Sequence, residues 1–351
     1  MVTRPVEILG VGMVTPVGLN APTTAAAVRA GIVRTRETSI LDLRFHPFVA
    51  GFLEAMPELA LLPASFSYRE ERMLRLAVPA LQEAAREAGK AVLLLGLPEE
   101  QSDPQRAGNA FLQELIHASG TRIEPGASRS FPLGRAAGLW ALAEAIQLIS
   151  AGRAQDVLVG GVDSLVDPMV LAGLEADHRI AGTRPSDVFI PGEGAGFLWL
   201  APAGTARRRR REALGEIFGM GVGREPGYRE SLEPYLGEGL SAAFHEAFAD
   251  MPRGEQHNVR TVYLSFNGES FWAKEWGVGH LRFQSRFDGN LRVEHPVENF
   301  GDPGAGLGPL MVGLATMALR RGYRQGPCLV SCSSDREERA AVLLRSVEQG
   351  G

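Results

Sequence analysis

The chain turns on Gly126-Ala127-Ser128-Arg129-Ser130-Phe131-Pro132-Leu133-Gly134-Arg135-Ala136-Ala137-Gly138-Leu139-Trp140-Ala141-Leu142-Ala143-Glu144-Ala145-Ile146-Gln147-Leu148-Ile149-Ser150. It reads as an extended segment, a tight turn and a long helix. From Ala136 onward only Glu144, Gln147 and Ser150 are polar, and a helix that is apolar nearly all round is predicted to run through the middle of the molecule with neighbours on every side. Its N-terminus is then a buried place. Small residues at Gly134, Ala136, Ala137 and Gly138 form the kind of turn in which α/β enzymes hold a nucleophile against a helix N-terminus. This turn holds Arg135.

Upstream, Val6 to Leu9 reads as a short strand, followed by Gly10-Val11-Gly12-Met13-Val14-Thr15-Pro16-Val17-Gly18 and a helix from about Thr23 to Ala30 that stops at Gly31. The Gly-x-Gly lacks the third glycine and the acidic ribose partner of a dinucleotide site, so these glycines read as a tight strand exit. A helix over Tyr68 to Gly89 leads into a strand over Ala91 to Leu95. Downstream, a strand over Asp156 to Val159 enters Gly160-Gly161-Val162-Asp163-Ser164. Arg184-Pro185-Ser186-Asp187 and the run Gly192-Glu193-Gly194-Ala195-Gly196-Phe197-Leu198-Trp199-Leu200 follow. Ala201 to Thr205 reads as a link, and the arginines of Arg207 to Arg211 as a solvated linker or helix start. The second half repeats the first in outline, with a helix over Gly237 to Ala249, a strand over Thr261 to Phe266, a glycine-rich turn and helix over Gly301 to Arg321, and strands around Cys328 to Ser331 and Ala340 to Leu344. This alternation predicts an α/β protein of two halves, residues 1–205 and 206–351.

With 351 residues and 45% hydrophobic content, the chain can bury a large core. A formal net charge of -5 gives no electrostatic case for nucleic acid or an anionic membrane as partner. The two cysteines, Cys328 and Cys332, have no Cys/His metal spacing around them, so neither a metal nor a cofactor is expected, and a reducing compartment is. The first residues show no secretion leader and no apolar run reaches bilayer length, which predicts a cytoplasmic location.

Taken together, these motifs resemble the β-ketoacyl synthases of the thiolase-like superfamily. Gly126, Gly138, Ala141 and Ala145 fit the frame of that family's nucleophile elbow, and Gly10 to Gly18, Gly160 to Ser164, Arg184 to Asp187 and Gly192 to Gly196 match its other segments. The resemblance implies two pseudo-repeated α/β halves layered α-β-α-β-α. It also places Arg135 where the family has its cysteine, and a guanidinium cannot be acylated. Asn267, in Asn267-Gly268-Glu269, takes the place of the first family histidine, and an asparagine still donates a hydrogen bond. Asp302, in Gly301-Asp302-Pro303-Gly304-Ala305-Gly306-Leu307-Gly308, takes the place of the second, where a carboxylate repels the enolate left by decarboxylation. Val297 replaces a lysine, and Ser333-Ser334-Asp335-Arg336-Glu337-Glu338 replaces the glycine- and phenylalanine-rich last loop. Ion pairs, Arg135 with Asp302 or Asp335 with Arg336, are expected to fill the site.

Ser130, with Ser128 beside it, and Cys332 are the candidate replacement nucleophiles, and each reads better as structural. His280 and His295 lie nearest the family positions in sequence and read as packing. No catalytic residue is therefore expected. The resemblance implies a non-catalytic protein: a subunit that dimerises with itself or with a paralogue through the strand Ser128 to Leu133, or an adaptor or chaperone for a protein client, as degenerate relatives serve in polyketide synthesis and beside type VI secretion effectors. Pro132 must then sit where its missing amide faces away from the partner strand. The stretch Leu97 to Gly126 is short for the family and has no counterpart of the segment that caps its pocket. The alternative is an acyltransferase or 3-oxoacyl-acyl-carrier-protein synthase-like enzyme that uses Ser130, Cys332 or Asn267, with acyl carrier protein or acyl-CoA as partner.

Overall fold

The computed structural model describes residues 5–59, 62–99, 104–180 and 187–347. The strands are β1 Val6–Val14, β2 Thr35–Leu41, β3 Pro47–Gly51, β4 Val92–Leu97, β5 Arg129–Pro132, β6 Val157–Ser164, β7 Glu193–Pro202, β8 Gly215–Arg224, β9 Val259–Leu264, β10 Phe287–Glu294, β11 Cys328–Ser333 and β12 Glu338–Arg345. The helices are α1 Ala21–Arg29, α2 Tyr68–Ala84, α3 Pro104–Ser119, α4 Ala137–Ser150, α5 Pro168–Ala176, α6 Thr205–Arg208, α7 Glu238–Ala247, α8 Ser270–Arg282, α9 Val297–Phe300 and α10 Leu307–Arg320.

Ten strands run in the order β10-β9-β11-β12-β8-β1-β7-β6-β4-β5, and β2 and β3 form a separate hairpin. Each half of the sheet contributes five strands, and the halves meet where Val6 to Ile8 of β1 pair with Gly215 to Ile217 of β8. The pairing pattern repeats: β6 is antiparallel to β7 and parallel to β4, which is parallel to β5, just as β11 is antiparallel to β12 and parallel to β9, which is parallel to β10. α4 and α10 lie between the halves in one apolar core, α2 and α3 cover the outer face of the first half, and α7 and α8 cover that of the second. This is the α-β-α-β-α layering of the thiolase-like fold, as the sequence led us to expect.

The helix buried on every side is α10 rather than α4. Residues Leu307 to Leu319 of α10 are all buried, whereas α4 leaves Trp140, Ala143 and Glu144 half-buried and Gln147 exposed. α4 lies over β4, β5 and β6, toward the sheet edge, while α10 spans strands of both halves. The two helices touch at a glycine: a Cβ on Gly138 would lie 2.4 Å from the ring of Pro309.

Gly10 and Gly12 are not a strand exit. Both lie inside β1, where a Cβ would fall 2.2 Å from the Ala84 carbonyl oxygen and 1.9 Å from that of Ala80, so they let α2 rest directly on the strand. Gly160 and Gly161 likewise lie within β6, which runs on to Ser164. The arginine run is the exposed helix start expected of it, with Arg207 to Arg210 exposed; Arg209 pairs with Asp156 at 2.7 Å, and Arg211, half-buried, stacks on the buried indole of Trp199 with its guanidinium 4.3 Å from the ring centre. Arg184, Pro185 and Ser186 lie outside the described residues. Among the described residues no helix is long and apolar enough to cross a membrane.

Candidate functional site

The site is built by two turns in equivalent places of the two halves. Gly134 opens a 3-10 turn, Gly134–Ala136, at φ +69°, a backbone state that suits glycine, and α4 follows directly. Asp302 stands just before the matching turn Gly304–Gly306, which opens α10, and its Oδ1 accepts from the Gly304 amide at 3.0 Å. Both buried helix starts therefore face one another across the middle layer, and Arg135 extends from one toward Asp302 of the other.

Arg135 is 6% exposed and Asp302 1% exposed. Arg135 Nε and Nη2 lie 3.0 and 2.9 Å from Asp302 Oδ2, and Nη1 donates to the Ser333 carbonyl at 3.1 Å and to Asp335 Oδ1 at 3.3 Å. Asn267 Nδ2 donates to the same Asp302 oxygen at 2.9 Å and to Glu269 Oε2 at 3.2 Å. Glu269 is held by a two-pronged contact with Arg179, at 2.9 and 2.8 Å, and accepts from the Trp272 indole at 2.9 Å. Asp335 bridges the two guanidinium groups, which closes the network. With Arg229, 3.4 Å from Glu269, three arginines meet Asp302, Glu269 and Asp335, so the buried charges cancel. Cancellation is what makes the burial tolerable, since an unpaired charge here costs several kcal/mol.

The same pairing sets the protonation states. Burial works against the charged form of Arg135, but Asp302 and Asp335 outweigh it and hold the guanidinium above its ordinary value. Burial alone would raise the carboxyls of Glu269 and Asp335, and Arg179 with Arg135 outweighs it in both, keeping each below the usual carboxylate range. Arg135, Glu269 and Asp335 are therefore held in their charged forms at neutral pH.

Arg135, Asn267 and Asp302 are thus brought together. Of the two expected ion pairs, Arg135 with Asp302 forms, while Asp335 turns to Arg135 and Arg179 and leaves Arg336 to pair with Glu99 at 3.2 Å. The reason is electrostatic: two buried guanidinium groups face Asp335, whereas Arg336 reaches toward solvent. The loop after β11 closes over the elbow, and the Ser334 hydroxyl accepts from the Ala136 amide at 2.9 Å, occupying a donor at the start of α4. Cys332 lies beneath, donating to the Arg135 carbonyl at 3.0 Å, with burial pushing its thiol up to about 12. Such a thiol carries almost no thiolate at neutral pH. Ser130 is on β5, 3.4 Å from Asn109 Oδ1 of α3 and outside the charged network. Val297 is buried in α9, His280 packs on Trp276 and Phe287, and His295 packs on Phe266.

Sequence reasoning missed Arg179 and Glu99. Arg179 follows α5 with no motif around it, and only its tertiary partners mark it. Glu99 lines a cavity of about 290 Å³ that reaches the outer side of Arg135, together with Arg69, Asp163, Arg179, Phe189 and Asp335. Burial and the neighbouring Asp335 push the Glu99 carboxyl up to about 7, against the pull of Arg336. Beside the elbow the donors of Arg135, Asn267 and the Ala136 amide are already taken by carboxylates, a carbonyl and a hydroxyl, and Cys332 is held as a thiol.

Residues 134–206 match the model of the β-ketoacyl synthase N-terminal domain. Among curated proteins, the putative polyketide beta-ketoacyl synthase 1 of Streptomyces halstedii is 26% identical over 271 residues, covering 62% of this chain and 63% of that protein, so the match spans just under two thirds of the relative's length. Among solved structures, the ishigamide ketosynthase/chain length factor superposes with a TM-score of 0.80 at 14% identity, over 98% of this chain and 99% of the other. A chain of AntDE:AntF, described as a type II PKS acyl-carrier protein in complex with its ketosynthase, superposes with a TM-score of 0.76 at 16% identity over 98% of this chain and 100% of that one. The elbow and the strands after it carry the sequence match, where residues 134–206 are similar to the β-ketoacyl synthase N-terminal domain, and the whole chain has the fold of the ketosynthases it superposes on.

Proposed function

We propose that the chain is a non-catalytic ketosynthase-like subunit that pairs with a second chain of the same fold, with a paralogue as the favoured partner. The observation that carries this reading is the buried Arg135–Asp302 pair. It occupies the positions at which the resemblance puts the nucleophile and one of the two enolate-stabilising groups, and it replaces a thiolate and a donor by a guanidinium and a carboxylate already bound to each other. Converting the pair back to an acyl site requires separating two buried opposite charges.

The pairing surface in this reading is β5, which is an edge of the ten-stranded sheet among the described residues. Pro132 is its last residue, so the amide it lacks removes no donor from the middle of the strand. Whole-length superposition on the ishigamide ketosynthase/chain length factor supports a paired role, and the acyl-carrier-protein complex among the superposed structures makes a carrier protein a further candidate contact. The experiment is light scattering on the purified chain, alone and co-expressed with ketosynthase-fold proteins encoded beside it. A stable dimer, with itself or with a paralogue, is expected at micromolar concentration; monomer throughout would overturn the pairing.

A further inference from the structure

We propose that a cleft between α1 and the end of α10 is a binding site for an amphiphilic anion, a medium-length apolar chain ending in a carboxylate. This site is distant in sequence from the elbow and rests on no part of the subunit reading. The cleft has a volume of about 330 Å³. Its floor and walls are Ala25, Ala26 and Ala30 of the α1 side and Met317 of α10. The alanines open the trough because nothing beyond a Cβ projects from α1 there, and the Met317 thioether makes an adaptable apolar base.

The rim has the opposite character. Arg29 and Arg321 line it, both exposed, and among the described residues neither takes part in an ion pair. Tyr323 also lines the cleft, and the Arg29 guanidinium lies 4.7 Å from its ring centre. Two arginines close by in the chain are neutralised: Arg320 binds Glu212 at 2.7 Å and Arg324 binds Glu294 at 2.7 Å. Arg29 and Arg321 do sit at helix C-termini, where a cation complements the backbone dipole, but that partial charge is screened and leaves most of each guanidinium's charge available. An apolar trough lined at its rim by a tyrosine and two guanidinium groups that make no ion pair among the described residues selects a ligand with the same division: alkyl inside, carboxylate at the rim, held by charge-assisted hydrogen bonds.

The test is calorimetric titration of the full chain with octanoate and with octylammonium. Octanoate is expected to bind saturably and octylammonium at least about tenfold more weakly, because the rim repels it. In R29Q/R321Q, whose altered side chains are exposed and leave the core intact, octanoate affinity is expected to fall by about tenfold or more. Ala26→Trp, which fills the trough, is expected to abolish binding while circular dichroism stays unchanged. Absence of saturable octanoate binding at millimolar concentration, equal binding of octylammonium, or undiminished binding by R29Q/R321Q would each overturn the site.

Discussion

Arg135 Nη2 and Asp302 Oδ2, from residues 167 apart in the chain, lie 2.9 Å apart between the starts of α4 and α10, the two helices that occupy equivalent places in the two halves. This pair ties the two halves together through the buried starts of their central helices. Removing one member leaves the other charged and buried, which costs about 3–5 kcal/mol. Arg135→Met and Asp302→Leu are each expected to lower unfolding free energy by that amount, and the double variant R135M/D302L by less than either. Denaturant titration of the four proteins measures the coupling; additive losses would show that the pair holds nothing together.

Both thiols are expected to be silent in the native protein. Cys328 and Cys332 are fully buried, and burial pushes each up to about 12. Labelling with an aromatic disulfide near pH 8 should give no fast phase in buffer and two equivalents in denaturant. A single fast equivalent in buffer would restore Cys332 as a candidate nucleophile.

Glu99 links stability to pH. Its folded carboxyl, pushed up to about 7, lies above its unfolded value, so the folded chain holds the proton more tightly. The stability this contributes is fully present below the unfolded value, about 4.3, and is lost as pH rises toward and past about 7. Glu99→Gln removes the titration, so its melting temperature relative to wild type should climb between about pH 5 and pH 8. A difference that stays flat across that range contradicts the shift.

Much of the site was legible because motif frames are local. Gly134, Arg135 and Gly138 sit close together in the chain, and Asn267 and Asp302 each lie in a glycine-marked segment, so the resemblance to the family's motifs was enough to assign their places. The partners did not. Arg179 reaches Asp335 across 156 residues and no pattern around either announces it, since pairing is decided by which charges the fold leaves buried together. Burial of α4 was overestimated for a related reason: an apolar sequence permits burial on all sides, but a neighbour must exist on each, and α10 has them where α4 runs toward the sheet edge. The glycines of β1 read from sequence as a strand exit, because sequence shows a missing side chain and not what takes its place.

Gly12 is the most constrained of those glycines. A methyl there would meet the Ala80 carbonyl oxygen at 1.9 Å, a backbone atom of α2 that moves only with its helix. Gly12→Ala is expected to destabilise by about 1–3 kcal/mol or more. Gly31→Ala meets no atom within 4 Å and serves as the comparison, where only the positive φ of +68° is strained. Thermal melts rank the two, and a milder Gly12→Ala would contradict the close packing of α2 on β1.

Acyl chemistry at the elbow is probed by intact-protein mass spectrometry after incubation with acyl- and malonyl-thioesters, on coenzyme A and on acyl carrier protein. With Arg135 bound to Asp302 and Asp335, the account predicts no acyl adduct and no carbon dioxide above background, for the wild type and for Arg135→Cys alike, because Asp302 and the Ser333 to Glu338 loop still occupy the site. An adduct on Ser130, Cys332 or any other residue of the native chain, or carbon dioxide released in proportion to protein, would contradict it.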